Sequence, residues 1–373
     1  LDQPLERLTS VRRDTILRLL VRLQVDELWT FVQKKQARLG YEERFALHLG
    51  DQLERHIGVG SRTLIPWCDA TWNPIRGCSR VSAGCEHCYA EKMAGRFGIP
   101  RRPDAYAKRL PYQGLVRSTV NGPRWTGDVS VVEEALDLPL RWKRPRRIFV
   151  NSMSDLFHEK VPDEWIDRIF AVMALAPQHT FQVLTKRPER MRAYLSKATV
   201  RHHVCAGDGC PYCSDTGRTA WAVTPYPNVW LGVSVEDQPT ADARIPLLLQ
   251  TPAAVRFVSY EPALGPVAFG TINGRTSRVH DSGRMDVLRG LAVYPTTHPE
   301  YPEQGYPIQP LDWLIIGGES GPHARPCDLA WIRSAVAQCR AAGVPVFVKQ
   351  DSGPRAGQQG RIPDDLWIKE CPP

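Results

Sequence analysis

RIFVNSMSDLFHEKVPDEWIDRIFAVMALAPQHTFQVLT, residues 147–185, is the stretch on which the reading of the fold turns. RIFVNS (147–152) and TFQVLT (180–185) are short apolar runs, and DEWIDRIFAVMALA (163–176) between them is amphipathic at helical spacing. A strand, a helix and a second strand in that order predict a βαβ unit, and so a parallel pair. The same alternation continues on the C-terminal side. NVWLGVS (228–234), AVRFVSY (254–260), DWLIIGG (312–318) and VPVFVKQ (344–350) read as further strands. Residues 188–197, 238–250 and 329–343 read as the helices among them.

Polar residues gather just after these apolar runs: Ser154-Asp155, Thr185-Lys186-Arg187, Ser234-Val235-Glu236, Glu261, Glu319-Ser320 and Lys349-Gln350. Parallel strands put their C-terminal ends on one face, which carries the active site in a (β/α) barrel; an open doubly wound sheet places it at a switch point on one edge. Helix caps account for some of these residues but not for charged groups at six consecutive strand ends. The expected fold is α/β, a partial (β/α) barrel over residues 59–355. Residues 1–58 read as a helical extension, with Ile16, Leu19, Leu20 and Leu23 at helical spacing, and residues 356–373 as a polar tail. Two segments break the rhythm: 199–222 is rich in cysteine, and 267–309 reads as an irregular insertion.

The chain has 373 residues and a formal charge of +8, and no stretch approaches the roughly 20 apolar residues of a membrane span. Five of the positive charges lie in RWKRPRR (141–147), which is either a solvated loop or a phosphate-binding patch. The excess of base is compatible with a polyanionic partner without requiring one. Ten cysteines without an export signal in the sequence favour metal or redox use over a disulfide scaffold, and a cytoplasmic location is expected.

Six of those cysteines form two groups. The first lies in WNPIRGC (72–78) and CEHCYA (85–90), a C-x6-C-x2-C arrangement of Cys78, Cys85 and Cys88. Three thiolates on one loop suit an iron–sulfur cluster with one open iron, whereas a structural zinc site calls for four protein ligands. His87 lies inside the C-x2-C pair, where its side chain tends to point away from a centre held by both neighbours. Catalytic zinc on three thiolates and a water is the alternative that the spacing leaves open. In the second group Cys205, Cys210 and Cys213, with His203 favoured over His202, have the spacing of a zinc knuckle, with an auxiliary iron–sulfur cluster as the rival. Cys68, Cys327, Cys339 and Cys371 read as packing residues.

From about residue 61 to 352 the chain resembles the phage- and prophage-type three-cysteine-motif proteins, a radical-SAM-like family. The matching segments are DATWNPIRGCSRVSAGCEHCYAEKMAGRF, the 147–174 stretch, QHTFQVLTKRPERM, NVWLGVSVEDQ, VRFVSYEPALGP and LDWLIIGGESGPHARP. The resemblance implies a radical-SAM type of partial barrel, with a 4Fe–4S cluster on Cys78, Cys85 and Cys88 and S-adenosylmethionine as the second cofactor. The commonest radical-SAM spacing has three residues, not six, between the first two cysteines. By the same analogy Ser234 and Glu236 contact the ribose or methionine part of the cofactor, Gly317-Gly318-Glu319 border its adenine, and Asn73 and Tyr89 join them beside the cysteines. Asp155, Lys186, Glu261 and Lys349 are the candidates for substrate contact or proton handling. A separate three-Cys-motif partner protein is expected by resemblance, and the substrate is left open, with a nucleic acid, a nucleotide or a protein bound to them as the candidates. The competing expectation is a zinc-dependent nucleic-acid-binding module without radical chemistry.

Overall fold

The computed structural model describes residues 63, 65–99, 110–197, 200–202, 218–220, 226–274, 283–294 and 304–373. The expected helical extension, residues 1–58, lies outside them. So do His203, Cys205, Cys210 and Cys213 of the second cysteine group; of that segment only the antiparallel pair Val200–His202 and Arg218–Ala220 is described.

The chain divides into two compact units. The first holds three parallel strands, β1 (Ala70–Trp72), β2 (Arg147–Val150) and β3 (Thr180–Thr185), paired in that order. The βαβ unit expected at 147–185 is therefore present. Its helix, α2 (Asp163–Leu175), buries Ile166, Ile169, Phe170 and Met173. The short helix α1 (Tyr89–Gly98) precedes it and follows the first cysteine group. One face of the strands carries Trp72 against Phe181, with ring centroids 5.7 Å apart. Gly95 of α1 lies so close to Pro123, in the hairpin Val116–Thr119/Gly122–Trp125, that a Cβ would sit 2.6 Å from the proline side chain.

The second unit holds α3 (Pro188–Lys197), β4 (Val229–Val235), α4 (Gln238–Leu249), β5 (Val255–Tyr260), β6 (Trp313–Gly317), α5 (Leu329–Ala342) and β7 (Val346–Gln350). Strands β4 to β7 are parallel, in the order β4-β5-β6-β7. All seven residues of β4 are buried, as a parallel strand covered on both faces requires. Gly232 in its centre makes room for Phe257: a Cβ there would lie 2.5 Å from the ring. Gly232→Ala is expected to destabilise the fold by roughly 1–3 kcal/mol through overpacking. A denaturant midpoint equal to that of the wild type would contradict this close approach.

Two expectations are corrected here. Residues 267–309 are not irregular where they are described: Ile272–Gly274, Gly283–Asp286, Leu291–Tyr294 and Gln304–Pro307 form a four-stranded antiparallel meander. The alternation is real but very short, with Ile272, Met285 and Ala292 buried and Asn273 and Arg284 exposed. A turn in which the Asp286 carboxylate accepts from the Leu288 and Arg289 amides joins two of the strands. The C-terminal tail is not separate either. Val348 N–H donates to Ile368 O and Glu370 N–H to Val346 O, so these residues run along β7, and residues 359–373 belong to the second unit. Mostly polar residues hid this pairing, which consists of backbone hydrogen bonds and leaves little periodicity in the side chains.

Candidate functional site

The first cysteine group is anchored from below. The chain leaving β1 at Asn73 is tied to the chain leaving β2, because the buried Asn73 Oδ1 accepts from Met153 N–H at 3.0 Å and Ser152 Oγ at 3.1 Å. Asn151, at φ 59°, answers with its own Oδ1 toward Ile75 N–H at 3.3 Å. Gly77 immediately before Cys78 has φ 93°, and a Cβ there would fall 2.1 Å from the Asp128 carbonyl oxygen. Only glycine fits, so the loop enters Cys78 from a fixed point. Cys85 closes a 3-10 turn, and Cys88 directly precedes α1, its carbonyl accepting from Lys92 N–H at 3.3 Å. Tyr89 donates its hydroxyl to Ser152 O at 2.5 Å. Asn73 and Tyr89 thus hold the loop to the strand ends.

Cys78, Cys85 and Cys88 are half-buried thiols. Cys78 and Cys88 pack against an apolar cluster that includes Ala94, Tyr112, Trp125 and Met153. Burial pushes the Cys88 thiol above its ordinary value, while the backbone N–H groups of Glu91 and Ala90 at the start of α1 pull the other way. A soft metal centre on this loop would find thiolate donors, a helix N-terminus aimed at one of them, and an apolar wall. Among the described residues no three His, Cys, Asp or Glu side chains are gathered closely enough to hold an ion as they stand. The fit is therefore one of donor chemistry and loop anchoring. The same loop includes Arg80, which donates to the buried Glu91 carboxylate at 2.6 Å.

Asp155 is also in this first unit, and it is buried. Its Oδ1 accepts from Phe157 N–H at 3.0 Å, and its carbonyl from His158 N–H at 3.1 Å, so it shapes the turn after β2. That turn presents a residue the sequence reading passed over. His158 is fully buried, and its Nε2 lies 2.9 Å from Ser79 Oγ, next to Cys78. Its Nδ1 accepts from Lys160 N–H at 3.2 Å, which leaves the ring proton on Nε2 to donate to Ser79. No periodicity or spacing marks His158, since its importance comes from a contact made 79 residues away.

In the second unit the strand-end residues form one connected network. Glu236, fully buried after β4, accepts from Lys186 Nζ and from Arg244, whose Nη1 lies 3.2 Å from Oε2. Arg244 also donates to Ser234 O at 2.6 Å. Asp237 caps α4, and Thr240 Oγ1 accepts from Glu236 N–H at 2.9 Å, which fixes the backbone that carries the carboxylate. Ser234 Oγ donates to Glu261 O at 3.2 Å. The Glu261 carboxylate accepts from Lys349 Nζ at 2.5 Å and Gln350 Nε2 at 3.3 Å. Gln350 donates in turn to Gly318 O at 2.8 Å, and Glu319 accepts from Arg325 at 2.6 Å. Gly317 and Gly318 end β6, where a Cβ on Gly318 would meet Ser352 N at 2.4 Å. The structure thus brings together Lys186, Ser234, Glu236, Glu261, Gly318 and Lys349, and it pairs their charges with one another. Such an arrangement fixes the side chains that line this end of the unit.

Asp351, just beyond β7, is held by Arg361 through bonds of 2.8 and 2.9 Å. Burial pushes its carboxyl up, but the Arg361 and Ser352 hydrogen bonds outweigh that and leave it below the ordinary 3.8. A carboxylate with a depressed folded pKa stabilises fully above its unfolded value, and the contribution disappears as the pH falls through the folded one. Asp351→Asn is accordingly expected to lower the thermal midpoint at pH 7, with the difference from wild type shrinking as the pH drops below 3.8. An undiminished difference in acid would contradict this.

A family model described as "Protein of unknown function (DUF5131)" matches residues 62–362. No curated protein and no solved structure matches the chain.

Proposed function

We propose that this chain, which belongs to the DUF5131 family over residues 62–362, is a radical-SAM-like enzyme on the evidence of its cysteine loop, with its substrate unidentified and a nucleic acid or nucleotide as the candidate class. The carrying observation is the loop of Cys78, Cys85 and Cys88, three half-buried thiols entered through the Gly77 turn and closed by the N-terminus of α1. Three soft donors on one loop leave a fourth coordination position open, which suits catalysis rather than a closed structural site. The inferred architecture is a partial (β/α) barrel of the radical-SAM kind, supported among the described residues by the parallel strands β1 to β3 in one unit and β4 to β7 in the other, with helices in βα order.

A 4Fe–4S cluster on these cysteines, when bound, supplies the electron that cleaves the sulfonium of S-adenosylmethionine. The chain's own residues do the remaining work. Asn73 and Tyr89 hold the thiol loop to the strand ends, and His158 orients Ser79 beside the first thiol. Ser234 and Glu236, which are buried and paired in the structure, and the Gly317-Gly318-Glu319 turn are the residues proposed to border a polar cofactor. Lys186, Glu261 and Lys349, with Asp155, are the proton-handling candidates. The basic balance of the whole chain supports a polyanionic substrate. A three-Cys-motif partner protein and a cytoplasmic setting complete the reading, together with zinc on Cys205, Cys210, Cys213 and His203. Among the described residues, no helix is long and apolar enough to cross a membrane.

Purification without oxygen, followed by assay of iron, sulfide and zinc, tests the reading. Iron and sulfide with brown absorbance support it. Zinc alone at both cysteine groups would instead favour a zinc-dependent nucleic-acid-binding module.

A further inference from the structure

The six-residue spacer between Cys78 and Cys85 is longer than cluster ligation by itself calls for, and its second residue is Arg80. The Arg80 guanidinium is held at two points: Nη2 donates to the Glu91 carboxylate at 2.6 Å and to the Glu86 carbonyl, between Cys85 and Cys88, at 2.8 Å. Glu91 is only 2% exposed and lies in the first turn of α1. Its other oxygen accepts from Trp125 N–H at 2.8 Å, and Arg124 approaches to 3.5 Å. Spacer, helix and hairpin therefore converge on one buried carboxylate. Two guanidiniums against one carboxylate leave a net positive charge beside the loop. The Glu86 carbonyl that holds Arg80 belongs to the turn between Cys85 and Cys88, so the guanidinium is seated against that turn.

We propose that Arg80 is a positioning and charge-compensating residue for the three-thiolate centre, fixed by the Glu91 carboxylate and the Glu86 carbonyl against the Cys85–Cys88 turn. The spacer then has a physical purpose, since a spacer of three residues would leave less chain in which to place a cation that turns back to α1. Thiolate ligation makes a cluster strongly anionic, and uptake of one electron from a low-potential reductant adds another negative charge. A fixed cation nearby favours the reduced state and so raises the reduction potential. The inference rests on the cluster reading of the three thiols.

The test uses the full chain reconstituted without oxygen as wild type, Arg80→Gln and Arg80→Lys. Iron and sulfide are assayed first, and the midpoint potential is then followed during a dithionite titration. Arg80→Gln is expected to move the potential to more negative values, and Arg80→Lys to stay close to wild type because it keeps the charge. An Arg80→Gln protein with full iron and sulfide at the wild-type potential would overturn the proposal. Should Arg80→Gln hold no iron, Arg80→Lys decides: wild-type iron content and potential support the charge role, and a negative shift overturns it. A wild-type protein without iron and sulfide overturns the cluster reading itself, and is told apart by the first assay.

Discussion

Cys88→Ala is expected to abolish iron and sulfide binding, and with it the release of 5′-deoxyadenosine from S-adenosylmethionine in the presence of dithionite. The argument is one of ligand count. Three thiolates are the fewest donors on the loop that leave one iron open, so loss of any of Cys78, Cys85 or Cys88 leaves two. Cys88 is the most telling of the three because it directly precedes α1, at the helix N-terminus. The fold should survive the change, since Cys88 is half-buried and alanine keeps the apolar contact with its neighbours. The measurement is iron and sulfide content with visible absorbance, paired with chromatography of the nucleoside product. Undiminished product from the mutant would remove Cys88 from the ligand set.

The largest effect on stability is expected at Glu236. Glu236→Ala removes a buried carboxylate that accepts from both Lys186 and Arg244, whose side chains are 18% and 7% exposed. Breaking a buried pair by deleting one partner costs about 3–5 kcal/mol, because the remaining charge is left without compensation. Here both Lys186 and Arg244 lose that acceptor. Glu236→Gln keeps the shape and one acceptor oxygen and is expected to cost less. Equilibrium denaturation of both variants checks the ordering. A loss of under about 1 kcal/mol for Glu236→Ala would mean that solvent screens the network, as it does for surface pairs.

Much of the fold was legible in the sequence. β4, β5, β6 and β7 are near-continuous apolar runs buried on both faces, and such runs announce themselves without alignment. Helix α2 was equally plain from its apolar spacing. The meander was not, because its strands are three or four residues long and each shows at most two buried positions. The tail was missed because its pairing with β7 uses backbone groups, which every residue but proline offers.

The candidate site divides along the same line. Spacing marks Cys78, Cys85 and Cys88, and position just past an apolar run marks Lys186, Glu236, Glu261, Glu319 and Lys349. Local pattern fixed those, because ligand spacing and strand ends are short-range properties of the chain. Which charges pair is not local. Glu236 meets Lys186 from 50 residues away, Glu261 meets Lys349 from 88, and His158 reaches Ser79 from 79. Arg80 lies only 11 residues from Glu91, yet their contact still depends on α1 and the hairpin being packed around that carboxylate. The sequence determined which side chains stand at the C-terminal end of each strand. Tertiary structure alone decided their partners, because a hydrogen bond or ion pair is set by distance in space once strands have been placed side by side.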